Sequence, residues 1–254
     1  MYFEHGHQFS GTEWFFGSVE YPVYNVEKNT NTWKLLRCFR GGYKHSISDD
    51  INRVLNSQYV PMIESTYLAT AFTVEDYRRL EKEQNKQEII RFIHKRFKER
   101  YITPLRGDRS EKHGFCTMAI CCLMIETLES FRHGWGDTRG KSKKAFDEFF
   151  KWCKENKLEL GVFDPKDFYK GVRCGILHQG ETTNGWRIRR KGPLYDPSAK
   201  IINATAFHNE LENALKRYLS ALEESDWESK IWQNLRRKMK HVIANCQRDA
   251  TQGV

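Results

Sequence analysis

The stretch from Phe115 to Leu128 constrains this chain more than any other. With helical spacing, Phe115, Met118, Ala119, Cys122, Ile125 and Glu129 mark one face, while Ile120, Leu123, Met124 and Leu128 fill the other. A helix apolar nearly all round has to be covered on several sides by other elements. The run is too interrupted to suggest a bilayer span, because Thr117, Glu126 and Thr127 break it. A helix over 112–132 at the centre of a bundle is therefore expected.

The neighbouring segments supply the rest of such a bundle. Thr73 and Asp76 form a loose capping box opening a helix to about Tyr101, rich in Glu, Lys, Gln and Arg. The residues Thr103–Arg109, with Pro104 and Gly107, form a loop. Helices are expected over 142–157, with Phe146, Phe149, Phe150 and Cys153 inward, over 205–222 and over 227–246. The segment 164–179 has a cap in Asp164, a proline suited to the first turn in Pro165, and a stop in Gly180. Alternation at Trp186, Ile188 and Arg190 suggests a β-hairpin. The fold class expected is all-α, a mainly helical bundle with a small β-hairpin appendage.

Residues 1–73 carry mixed signals and remain unassigned, as a separate region or an extension of the same domain. Strands within 13–26, short helices at 33–39 and 48–58 and a turn at Gly41-Gly42 are expected there. The helical domain covers 74–246, and 247–254 is a tail.

Seven cysteines, an odd number with no Cys-x-x-Cys pair, fit buried thiols better than disulfides or zinc. The polar, aromatic start of the chain has no signal-peptide character, so a cytoplasmic protein without a membrane partner is expected. The net charge of +9 is gathered in 91–98, 106–112, 139–144, 187–191 and 236–240. These clusters suit a polyanion, and equally suit solvated helix faces interleaved with acids. Phosphate-cradling glycine loops are absent, and no Ser or Cys nucleophile has a convincing histidine partner. His5 and His7 have no further metal ligand at suitable spacing, so no metal or cofactor is expected.

Chemistry concentrates in Lys170–Gln179. Arg173 and His178 sit in a helix otherwise suited to the core, with Gly171 and Gly175 four apart. Each glycine costs ~1 kcal/mol against alanine in a helix, so a close neighbour is expected on that face, within the chain or from a second protomer. At ~100° per residue, His178 lies ~140° from Arg173 on a regular helix. Either the helix end is distorted or two chains combine their residues.

An arginine followed four to six residues later by a histidine, near the end of a helix in an all-α domain, resembles the signature of the HEPN superfamily. Members are helical bundles that commonly dimerise, and many are metal-independent ribonucleases of toxin–antitoxin and anti-phage systems. Others have lost activity and bind nucleotides or partners. The position after the arginine, often Asn, Asp or His in active members, is Cys174 here. The resemblance implies Arg173 and His178 as catalytic residues, a homodimer, single-stranded RNA as substrate and an antitoxin or defence-system partner. Lys170, Arg187, Arg189 and Arg190 are candidates for substrate contact.

The chemistry suits the pair. An imidazole takes or gives a proton near neutral pH, and a guanidinium holds a phosphate by parallel hydrogen bonds. Against this stand a structural reading, in which Arg173 pairs with Glu126 or Glu129 and His178 caps its helix, and a rival function. In the rival, the chain is a non-catalytic helical module binding nucleic acid or protein.

Overall fold

The structure is a computed structural model describing residues 64–106 and 113–248, all within the unit 52–254. The strands and helices expected before residue 64, His5 and His7, and the tail beyond Arg248 lie outside the described residues.

The fold is mainly helical. Helix α1 (Val74–Lys82) opens with the expected capping box: the Thr73 hydroxyl accepts from the Asp76 amide, and the Asp76 carboxylate accepts from that of Thr73. A single helix to Tyr101 does not form. The chain breaks at Gln84, whose φ is +53°, and restarts under the cap of Asn85 as α2 (Lys86–Phe97). A wide, π-helical turn over Lys98–Ile102 ends it.

Ahead of α1, β1 (Tyr67–Ala69) and β2 (Phe72–Thr73) pair antiparallel. Leu68 is buried in the same core as the helices, so these residues extend the helical domain rather than separate from it.

Helix α3 (Gly114–His133) takes the central place. Met118, Cys122, Met124, Ile125 and Leu128 are fully buried against α4 (Ser142–Glu155), α6 (Ala204–Glu224) and α7 (Lys230–Arg248). By length and composition α3 could cross a membrane, yet 67% of its apolar window is buried by the protein itself. One strip stays uncovered, where Phe115 is 39% and Leu123 45% exposed.

The segment 164–179 forms one helix, α5, in three pieces. Pro165–Phe168 is α-helical, Tyr169–Cys174 is π-helical and Gly175–Gln179 is α-helical again. Asp164 caps its start by accepting from the Asp167 amide, and Gly180, at φ +72°, ends it. Phe168 anchors the first piece among Phe146, Phe150, Phe163, Trp186 and Phe207, with ring centroids 4.9–6.2 Å away.

The β appendage is present, as three short strands that include a hairpin. β3 (Arg187–Arg189) runs parallel to β5 (Ile201–Asn203), and β4 (Tyr195–Asp196) pairs antiparallel on the other side of β5. The turn-rich residues 190–200 return the chain to β5 instead of folding directly back on β3.

Candidate functional site

The site is built where the end of α5 crosses α3. Arg173 is the last residue but one of the wide turn, and His178 lies in the α-helical piece beyond it. One extra residue in a helical turn sets the positions after it back by about one 100° step. Here the wide turn lies almost wholly at or before Arg173, so it re-aims Arg173 and all that follows, and the long arginine side chain reaches round to the imidazole. Their side chains meet: Arg173 Nη1 lies 3.2 Å from His178 Nε2. Since a guanidinium only donates, this hydrogen bond requires an unprotonated Nε2 that accepts.

The other edge of the guanidinium faces Glu126. Arg173 Nε and Nη2 donate to Glu126 Oε1 at 3.0 and 2.8 Å. The side chains are 15% and 11% exposed, so little water competes with the pair. Glu126 is held in turn by two hydroxyls: Ser142 Oγ donates to Oε1 at 2.6 Å and Thr138 Oγ1 to Oε2 at 2.7 Å. The Tyr169 ring lies 5.6 Å from the guanidinium carbon. Burial works to lower the pKa of Arg173, but the hydrogen bonds and charge of Glu126 outweigh it and raise the value. The arginine therefore stays charged, with one nitrogen turned to His178, which is exposed.

Glu126 is one of the two partners that the sequence allowed for Arg173. Neither Thr138, in a polar turn, nor Ser142, at the start of α4, is marked out by the sequence, since a single hydroxyl carries no signal of its own. The one available hint was Glu126 itself, a carboxylate inside an otherwise apolar run.

The two glycines have a different neighbour from a helix of another chain. A Cβ on Gly171 would land on the Trp186 indole, and one on Gly175 would meet the Glu181 carbonyl. Both admit the returning segment 181–186, which is pinned by Thr183 N donating to Gly171 O at 2.8 Å.

The remaining basic candidates are spread out. Lys170 is exposed on the same helix. Arg187 donates to Ala199 O at 3.0 Å and Arg189 to Pro193 O at 3.4 Å, which ties both to the sheet. Arg190 passes beside Gly114, at the opposite end of α3 from the site. Twelve residues of helix, ~18 Å, separate Gly114 from Glu126. These three arginines therefore do not join Arg173 and His178.

Cys122 and Cys174 adjoin the arginine, and burial pushes the Cys122 thiol far up, so it stays protonated. Among the described residues no three His, Cys, Asp or Glu stand together as metal ligands would. With Glu126 already engaged by Arg173, the part of the site left facing His178 is the cationic guanidinium edge, which suits an anion better than a cation. No family model, curated protein or solved structure matches the chain.

Proposed function

We propose that the chain is a metal-independent endoribonuclease of HEPN type, with Arg173 and His178 as its catalytic residues. One observation carries the reading: Glu126 fixes the Arg173 guanidinium so that its free edge meets an exposed imidazole. A fixed cation beside a proton carrier is the equipment for cutting RNA at its own 2′-hydroxyl.

In this mechanism the 2′-oxygen attacks the adjacent phosphorus as its proton leaves to a base. The bond to the 5′-oxygen breaks, and that oxygen takes a proton. The products are a 2′,3′-cyclic phosphate and a 5′-hydroxyl. Arg173 stabilises the charge gathering on the phosphoryl oxygens, and His178 carries one of the two protons. The second proton falls to the histidine of a second copy.

That copy is placed on the uncovered strip of α3, where Phe115, Ala119 and Leu123 succeed one another every four residues. Leu123 is three residues from Glu126, so a partner seated there borders the site. A homodimer of this kind would lose its contact in Leu123→Glu, read as a halved mass in sedimentation. The resemblance adds a role as a toxin or anti-phage protein, with an inhibitory partner, in a reducing cytoplasm. Buried thiols at Cys121, Cys122 and Cys153 agree with that compartment.

A second reading is favoured by one fact, that Glu126 already occupies two nitrogens of Arg173. In that reading the pair is structural, and the helical module binds nucleic acid or protein without cutting it. Cleavage of labelled single-stranded RNA in EDTA decides between them. Arg173→Ala and His178→Ala each lower the rate by about 10²–10⁴-fold if the ribonuclease reading holds. Equal cleavage by the folded variants, or none by the native chain over varied RNAs, leaves the module.

A further inference from the structure

We propose that Trp135, with the lysines around it, is a stacking platform for an unpaired base of an RNA strand, beside the Arg173–His178 pair. The choice of RNA and the identity of the neighbouring phosphate site rest on the ribonuclease reading; the stacking platform itself does not.

The turn after α3 is held unusually firmly for a surface loop. Gly134 adopts φ +68°, and a Cβ there would lie 3.0 Å from the Asn234 backbone. A Cβ on Gly136 would come within 2.9 Å of the His241 ring. Helix α7 also grips the turn by hydrogen bonds: Asn234 Nδ2 donates to Arg132 O at 2.6 Å and Lys238 Nζ to Gly136 O at 2.8 Å. An aromatic side chain presented by such a turn loses little freedom on binding.

Trp135 is that side chain. It is partly exposed and lies nearly parallel to His133, with centroids 4.7 Å apart and planes 13° from each other. His133 is itself fixed by Glu129, 3.1 Å from Nε2. The ammonium groups of Lys141 and Lys144 stand 5.7 and 5.9 Å from the indole centroid.

Charge points to the partner. Arg139, Lys141, Lys143 and Lys144 are all exposed within six residues, and among the described residues no acid forms an ion pair with any of them. Four like charges so close repel one another, and a polyanion relieves that. An aromatic ring among them adds what charge alone lacks, a surface for a base free of its pairing partner.

The same turn reaches the site. Three residues after Trp135, Thr138 donates to Glu126, and Ser142 follows Lys141 onto the same carboxylate. Three residues of chain span at most ~11 Å, so a strand on Trp135 would have a phosphate near Arg173 within about two nucleotides.

Binding of a short labelled single-stranded RNA, followed by anisotropy in EDTA, tests this on the full chain. Trp135→Ala weakens binding about tenfold, while Trp135→Phe keeps most of it, which excludes misfolding as the cause. A duplex of equal length binds more weakly and is indifferent to Trp135→Ala. The double variant Lys141→Ala/Lys144→Ala lowers the slope of log Kd against log salt by about 1.4. Unchanged single-strand binding by Trp135→Ala, equal losses for strand and duplex, or no RNA binding by the native chain overturns the platform. Cleavage by the native chain separates the two proposals: binding that depends on Trp135 in a native chain that cuts none of a varied set of RNAs sinks the ribonuclease and keeps the platform. Cleavage that is indifferent to Trp135 does the reverse.

Discussion

Helix α3 carries two buried carboxylates less than one turn apart, and each has an arginine and a histidine in its network. Around Glu129, both come from the same helix: Arg132 and His133 lie three and four residues on, the spacing that regular α-helix brings together. Around Glu126, Arg173 comes from 47 residues away, and His178 touches the arginine rather than the acid. Glu129 is fully enclosed, with Arg132 lying 4.2 Å over the Trp152 ring. His178 faces solvent. The same three residue types thus make a closed lock in one place and an open pair in the other. What differs is the wiring: an acid that binds both partners satisfies them, whereas an acid that binds only the arginine leaves its far edge and the imidazole available.

Removing the carboxylates one at a time should separate the two networks. Glu129→Ala leaves Arg132 without its enclosed counter-charge and His133 without its hydrogen-bond partner, a loss of about 3–5 kcal/mol. At this chain length the melting temperature should fall by on the order of 10 °C. Glu126→Gln keeps an oxygen for Arg173 and sits nearer to solvent, so a smaller cost of about 1–3 kcal/mol is expected. RNA cleavage, however, should drop about 10²-fold as the guanidinium loses its fixed direction. Thermal melts of both variants beside the cleavage assay check this. Equal destabilisation with cleavage untouched in Glu126→Gln would make both networks locks.

The lock lies within reach of local sequence rules and the open pair does not, although the sequence alone does not single out either network. Local rules find caps, stops and apolar stripes, so Thr73, Asp164 and Gly180 mark helix ends that the structure contains. The same rules supply Glu129 with Arg132 and His133 by spacing alone. They miss the break at Gln84, because a glutamine at positive φ announces nothing. They also miss the wide turn over Tyr169–Cys174. An inserted residue shifts the phase of a helix without changing the residue types on it, and its cause lies in tertiary packing. Phe168 is fastened in the aromatic cluster and Gly175 against the 181 carbonyl, so the residues between take up the mismatch. Pairing of Glu126 with Arg173 is a contact over 47 residues, and spacing cannot choose it over Glu129. The sheet was legible only in part for a related reason: alternation at 186–190 identifies a strand, not the partner it takes, and the hairpin forms between β4 and β5.

The packing that sets the open pair can be probed through its glycines. Gly171→Ala gains ~1 kcal/mol of helix propensity but forces the Trp186 indole aside, for a net loss of about 1–2 kcal/mol. If the wide turn depends on that packing, cleavage falls further than stability predicts, because His178 loses its approach to Arg173. A variant that melts lower yet cleaves at the native rate would show that the pair is set without the returning segment. The Glu129 network, on another part of α3, should not respond: the environment of Trp152, read by fluorescence, stays as it was.

The smallest effect concerns a histidine outside both networks. His208 is buried in α6, with Nε2 3.0 Å from Tyr101 O. Burial lowers its pKa from the ordinary 6.5, and the charge of Arg106 adds to this, against an opposing effect of the Tyr101 carbonyl and Glu212. Below pH 6.5 the unfolded chain therefore binds a proton that the folded chain resists. The stability due to the neutral ring is complete above that pH and declines as the pH falls towards the depressed folded value. His208→Gln, which keeps a donor for the carbonyl but cannot titrate, should flatten the drop in melting temperature between pH 7.5 and pH 5. An unchanged drop would move the acid sensitivity to other groups, with His94, also lowered by burial, next to be replaced.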